Sequence, residues 1–289
     1  MTSLRITVDD RLRLVTAVLA ASDWPEIEQK ERTHAVHPHA KQTLHATQAY
    51  KSYPAVYHLN EALMNGVSLD DLLSAAVRCT WPDFTPTEPL PNILQVDTWI
   101  QSLAGFAQKT EIVSQFWPAH QSVWDESANE LTAVFQNSPL PAFLAQVIGK
   151  SLSQHIVVMP NLVYPALKPV LATSEKALTL LLPPPLAVGE SPPWPYEEDP
   201  GWVVARICER LLFHLLASRL APLVPSRQEE AVRAAITLCL EQSFDEFEAK
   251  AYLLRSKKAY NLPNLPQMVD KLRELLPKDG LPQNLNILF

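Results

Sequence analysis

The sequence predicts an α+β fold, predominantly helical, with a small sheet packed against one long helix. Three observations lead there. The 289 residues include only 6 glycines against 26 prolines, so left-handed turns are few and ring constraints start and stop helices. The first half repeats apolar residues at helical spacing between those breaks. A short β-branched run, His155-Ile156-Val157-Val158-Met159, then precedes the most apolar long stretch of the chain, residues 200–220, which has no proline after Pro200 and reads as a buried helix.

In chain order, Leu4, Ile6 and Val8 alternate with polar residues as a short strand does, and Asp9 or Asp10 then caps a helix running to residue 21. Residues 22–39 are polar and hold His34, His37 and His39, with His45 beyond. No carboxylate sits at helical spacing from them and His37 and His39 flank a proline, so a solvated loop leading into a helix over residues 40–50 is expected, not a metal site. Pro54 opens the next helix and Asn65-Gly66 closes it. Ser68 with Asp71 forms a capping box for residues 69–79. After a proline-rich linker, helices follow over residues 93–109, from 111 toward 134 with an adjustment at Trp117-Pro118, and over 141–149. Trp117, Trp124 and Phe135 belong to the core, since aromatics at helical spacing pack. Strands are expected at residues 154–159, 168–172 and 177–182. Helices at 226–241, 245–260 and 265–276 follow the long one. The expected division is a helical region, residues 1–150, and a region of small sheet and helices, residues 151–289, either separate or forming one continuous domain.

The formal net charge of -7 argues against nucleic acid as a partner, because such proteins carry a basic stripe that displaces phosphate counterions. No basic leader with a continuous apolar run is seen and no stretch reaches a membrane span, so a cytoplasmic protein is expected. Cys79, Cys208 and Cys239 are odd in number and share no metal spacing, which implies buried reduced thiols.

The long helix carries Cys208-Glu209-Arg210-Leu211-Leu212 where a zinc peptidase carries H-E-x-x-H. Together with Ile6-Thr7-Val8-Asp9-Asp10-Arg11-Leu12, Tyr53-Pro54-Ala55-Val56, Phe106-Ala107-Gln108-Lys109 with Phe116 and His120, and the run over residues 155–220, the chain resembles a bacterial family of gluzincin-like zinc metallopeptidases over nearly its whole length. The resemblance implies a zincin-like fold in which the long helix is the former active-site helix. On it, Cys208 and Leu212 stand where two zinc-binding histidines belong, and Glu209 stands where the general base belongs. Glu229 or Glu230 lies in the region of the third metal ligand. Leucine cannot ligate, and a cysteine with one distant glutamate leaves zinc too few ligands to acidify a bound water. His214 lies about 200 degrees around the helix from Leu212 and cannot substitute.

The expectation is therefore a catalytically inactive metallopeptidase homologue with no metal and no cofactor. Glu209 would be a relic of the general base, satisfied by a nearby cation such as Arg233. Its partner would be an unknown peptide or protein, held along an edge strand. The alternatives are a helical interaction protein without zincin ancestry, and a hydrolase using Cys208 near His155 or His214.

Overall fold

The computed structural model describes residues 3–31, 35–93, 96–163, 168–186 and 192–289. In chain order the elements are β1 (Leu4–Ile6), α1 (Asp10–Ala21), α2 (Trp24–Glu31), α3 (Pro38–Thr47), α4 (Pro54–Met64), α5 (Leu69–Val77), α6 (Val96–Thr110), α7 (Trp117–Ala119), α8 (Gln121–Phe135) and α9 (Leu140–Ile148). They continue with β2 (His155–Pro160), β3 (Val170–Thr173), β4 (Ala177–Leu182), α10 (Pro200–Leu215), α11 (Ala217–Leu220), α12 (Pro225–Ser243), α13 (Glu246–Ala259) and α14 (Leu265–Asp279). The fold is thus predominantly helical with a small mixed sheet, an α+β architecture. None of the helices among the described residues is long and apolar enough to cross a membrane.

Local chemistry explains most boundaries. Asp9 caps α1 by accepting from the Arg11 amide at 2.9 Å. Ser68 caps α5 by accepting from the Asp71 amide at 3.1 Å, while its hydroxyl donates to the Asp71 carboxylate at 2.6 Å. Pro54 occupies the first turn of α4 and Pro200 that of α10, where a missing N–H costs nothing. Asp199 caps α10 through the Trp202 amide at 2.9 Å. The expected 200–220 helix is interrupted at Leu216 (φ -101°, ψ 8°), giving α10 and the separate turn α11. Beside that break, Arg219 donates to the Ile148 and Leu281 carbonyls.

The chain forms two compact units that alternate along the sequence. One contains Arg5–Ala133 and Ile156–Glu198; the other gathers Met1–Leu4, Val134–His155 and Asp199–Phe289. We call them the sheet unit and the helical unit. Strand residues 156–182 thus fall with the first helices, and residues 134–155 with the last.

In the sheet unit, α1 is the central element: residues 12–21 are all buried. Leu12, Leu14, Val15 and Val18 share one core with Val56 and Leu59 of α4, Leu72 and Leu73 of α5, and Leu103 and Phe106 of α6. Met159, Val170, Ala172 and Leu181 bring the sheet into the same core. The strand order is β1-β2-β4-β3, with β3 antiparallel to β4 and Val170 opposite Leu181. Within this unit the helix laid against the sheet is α5, beside β3. The long helix α10 falls in the helical unit, where it packs on α9 and α12. The hub of that unit is α12, whose residues 230–240 are buried without interruption and which meets α9, α10, α13 and α14.

The histidine-rich segment also differs from expectation. His37 caps α3 by accepting from the His39 amide at 3.2 Å, and His39 lies buried within the helix, accepting from Trp124 Nε1 at 3.0 Å. An indole donor offered from α8 makes the imidazole a core residue, which no periodicity within residues 22–39 could show. His34 lies outside the described residues.

Candidate functional site

On α10 the residues of one face recur at i, i+3, i+4 and i+7: Trp202, Ala205, Arg206 and Glu209. They line a cavity of about 300 Å³ whose other walls are Asp199 at the cap of α10, Arg233 of α12, and Tyr252, Arg255, Ser256, Ala259 and Tyr260 of α13 and its end. Arg233 is its buried floor, with a side chain 3% exposed. Its Nη2 donates to Glu209 Oε1 at 2.7 Å, its Nε to Glu229 Oε2 at 2.9 Å and its Nη1 to the Tyr252 hydroxyl at 3.1 Å. The Tyr260 ring lies 4.2 Å from the guanidinium carbon, adding a cation–π contact. The ion pair expected between Glu209 and Arg233 is therefore present.

Glu209 is gripped from two sides. Arg206, one turn earlier, donates to Oε2 at 3.2 Å and itself lies 5.6 Å from the Trp202 ring. Burial alone would push the Glu209 carboxyl up, but the hydrogen bond and charge of Arg233, followed by those of Arg206, hold it below the usual carboxylate value. Burial works against the Arg233 cation in the same way, and the Glu209 hydrogen bond reverses it, so the guanidinium is held charged. Burial pushes the Tyr252 phenol up to about 12 against the pull of Arg233. An anion with both oxygens engaged and a lowered affinity for protons is a poor general base. It serves as a fixed acceptor that orders its arginines.

The neighbouring residues Cys208 and Leu212 do not join it. Cys208 and Leu212 are wholly buried on the core face of α10. Burial pushes the Cys208 thiol well up, and Cys239 beside it adds to the effect. A thiol without access or thiolate character is no nucleophile, and His214 is exposed. Of the two candidate third ligands, Glu229 reaches Arg233, whereas Glu230 is buried and pushed up by that burial, against the opposing charges of Arg227 and Lys271. Among the described residues no group of three or more His, Cys, Asp or Glu side chains is arranged to hold a metal.

No protein family, curated protein or solved structure matches the chain. The site must be read from its own chemistry.

The edge-strand route for a peptide is closed at β3. The Leu171 amide donates to Asp70 Oδ1 at 3.0 Å, the Thr173 amide to Ser74 Oγ at 2.9 Å, and Arg78 Nε donates to the Thr173 carbonyl at 3.0 Å. Side chains of α5 and of its C-terminal cap thus occupy the groups an added strand would need. The residues that sequence reasoning missed are Trp202, Arg206, Tyr252, Arg255 and Tyr260. A signal existed in the Trp202, Arg206, Glu209 stripe and in the matching stripe Tyr252, Arg255, Ser256, Ala259, but the pairing of α10 with α12 and α13 was needed to read them as one surface.

Proposed function

We propose that this chain is a catalytically inactive, zincin-like metallopeptidase homologue whose role is to bind a peptide or protein partner, with the α10–α12–α13 cavity as the recognition site. The observation that carries the proposal is the state of Glu209. The residue at the position of the general base has both oxygens taken by Arg206 and Arg233, while Cys208 and Leu212, at the two histidine positions, are sealed in the core. Such a helix supplies neither a metal nor a free base, yet it keeps a concave site beside it. Trp, Tyr and Arg are the side chains that dominate binding energy at protein interfaces, and Trp202, Tyr252, Tyr260, Arg206 and Arg255 line this cavity.

A second reading, a helical interaction protein without zincin ancestry, draws support from the grouping of the strands with α1 and α5 in one unit and of α10 with α9 and α12 in the other. It uses the same cavity. Metal content of protein purified without chelator tests the loss of the zinc site: the expected result is no stoichiometric zinc, and zinc lost on Cys208→Ala would overturn it. Installing Cys208→His with Leu212→His separates the two readings, since zinc binding by that double variant is expected only of an inherited metal geometry. Recognition is tested on an unbiased peptide array with wild type and Trp202→Ala. Peptides bound by the first and lost by the second are expected, and an array bound equally by both removes the cavity from the proposal.

A further inference from the structure

A second site lies in the sheet unit, around Arg13 of α1. The residue is only 3% exposed, and its guanidinium carbon lies 4.4 Å from the Trp117 ring centre and 4.6 Å from that of Trp124, clasped by two indoles. Among the described residues only Nη1 finds a hydrogen-bond acceptor, Gln121 Oε1 at 3.1 Å; Nε and Nη2 have none. Those two nitrogens share one edge of the guanidinium, the edge that takes a carboxylate or phosphate side-on through two parallel bonds.

A buried cation is ordinarily matched by an anion, and faces of aromatic rings offset only part of its desolvation. Asp10 and Asp125 act on Arg13 electrostatically but neither is hydrogen-bonded to it, and burial outweighs them, pushing the guanidinium down to about 10. Two histidines lie nearby and supply no anion. His39 accepts from Trp124 Nε1, which keeps that ring nitrogen unprotonated, and His120 bonds the Phe116 carbonyl while its ring lies tilted 4.2 Å from the Phe116 ring. The backbone beside it is irregular, a π-helical turn over Ile112–Phe116 entered through Glu111 at φ 52°, a feature that recurs at functional sites. Exposed Gln121, whose amide nitrogen donates to exposed Asp125 at 2.8 Å, connects the guanidinium with the surface.

We propose that the free edge of Arg13 is a binding site for a small oxyanion, a carboxylate or phosphate group, which reaches it by displacing Gln121. The test titrates inorganic phosphate and, separately, acetate into the full chain at constant ionic strength, with chloride as the balancing anion. Tryptophan emission is read, because Trp117 and Trp124 flank the guanidinium, together with Tm. A saturable, single-site change in both readouts is expected. A response to phosphate alone assigns a phosphate ligand, and one to acetate alone a carboxylate. Arg13→Met, verified as folded by circular dichroism, is expected to lose the response. Arg13→Lys, which keeps the charge without the fork, should weaken it by at least about tenfold. The proposal is overturned if neither oxyanion gives a saturable change, or if the change persists undiminished in Arg13→Met. Should Arg13→Met not fold, an undiminished response in Arg13→Lys overturns it equally.

Discussion

Replacing Arg233 by methionine is the sharpest probe of the α10–α12–α13 site. Methionine keeps much of the side-chain bulk and removes three donors at once, leaving Glu209 Oε1, Glu229 Oε2 and the Tyr252 hydroxyl without their partner. Breaking a buried ion pair from one side costs about 3–5 kcal/mol. Two features reduce that here. Glu229 is 30% exposed and regains water, and Glu209, 20% exposed, retains Arg206. A loss of about 2–4 kcal/mol is therefore expected, measured by urea unfolding. Glu209→Gln keeps an acceptor opposite Arg233 and should cost less, about 1–2 kcal/mol. A double-mutant cycle between the two should return a coupling of about 0.5–3 kcal/mol. The effect must also depend on pH. Glu209 is held below its ordinary 4.5 in the folded chain, so its ionic contribution is present above pH 4.5 and is lost as pH falls through the folded value. The gap between wild type and Arg233→Met should accordingly narrow in acid. A loss under about 1 kcal/mol at neutral pH, or a gap that widens on acidification, would refute the reasoning.

Other outcomes follow from features of both units. Cys208 and Cys239 should resist iodoacetamide in the native chain and react only on unfolding, as mass spectrometry would show; alkylation of native Cys208 would return it to consideration as a nucleophile. Asp70→Ala and Ser74→Ala each free one amide of β3 and should cost about 1 kcal/mol, with light scattering reporting increased association through the uncovered edge; unchanged scattering would mean that the edge is protected otherwise. Gly280, at φ 68° and ψ -164°, takes a conformation that other residues avoid, and a Cβ there would lie in hard contact with the Gln146 carbonyl. Gly280→Ala should lose about 1–3 kcal/mol from the backbone alone, and an unchanged thermal melt would contradict this.

What could be read from the sequence was local. Asp9, Ser68 with Asp71, Pro54 and Pro200 mark helix starts through chemistry that spans three or four residues, and those starts stand where that chemistry puts them. The β-branched run before Pro160 and the apolar run before Pro183 are strands for equally local reasons. The Glu209–Arg233 pair was within reach because a half-buried carboxylate must find a cation. What depended on distant partners was hidden. His39 reads as polar until Trp124, 85 residues away, offers its indole N–H. The stripe Trp202, Arg206, Glu209 gains a meaning only beside Tyr252 and Tyr260. Long-range strand order is not encoded in periodicity, and so the shielding of β3 by α5 went unseen.

The alternation of the two units along the chain also orders their birth. On the ribosome, every residue of the sheet unit has been synthesised once residue 198 has been added, whereas the helical unit then possesses only α9 and short flanks and awaits α10 through α14. The sheet unit can therefore fold first, with its core drawn from both sides of a segment that is still without partners. During that interval Leu140, Phe143, Leu144 and Val147, buried in the finished protein, are an apolar helix face in waiting. The nascent chain is most exposed to chaperones and to aggregation over residues 134–155.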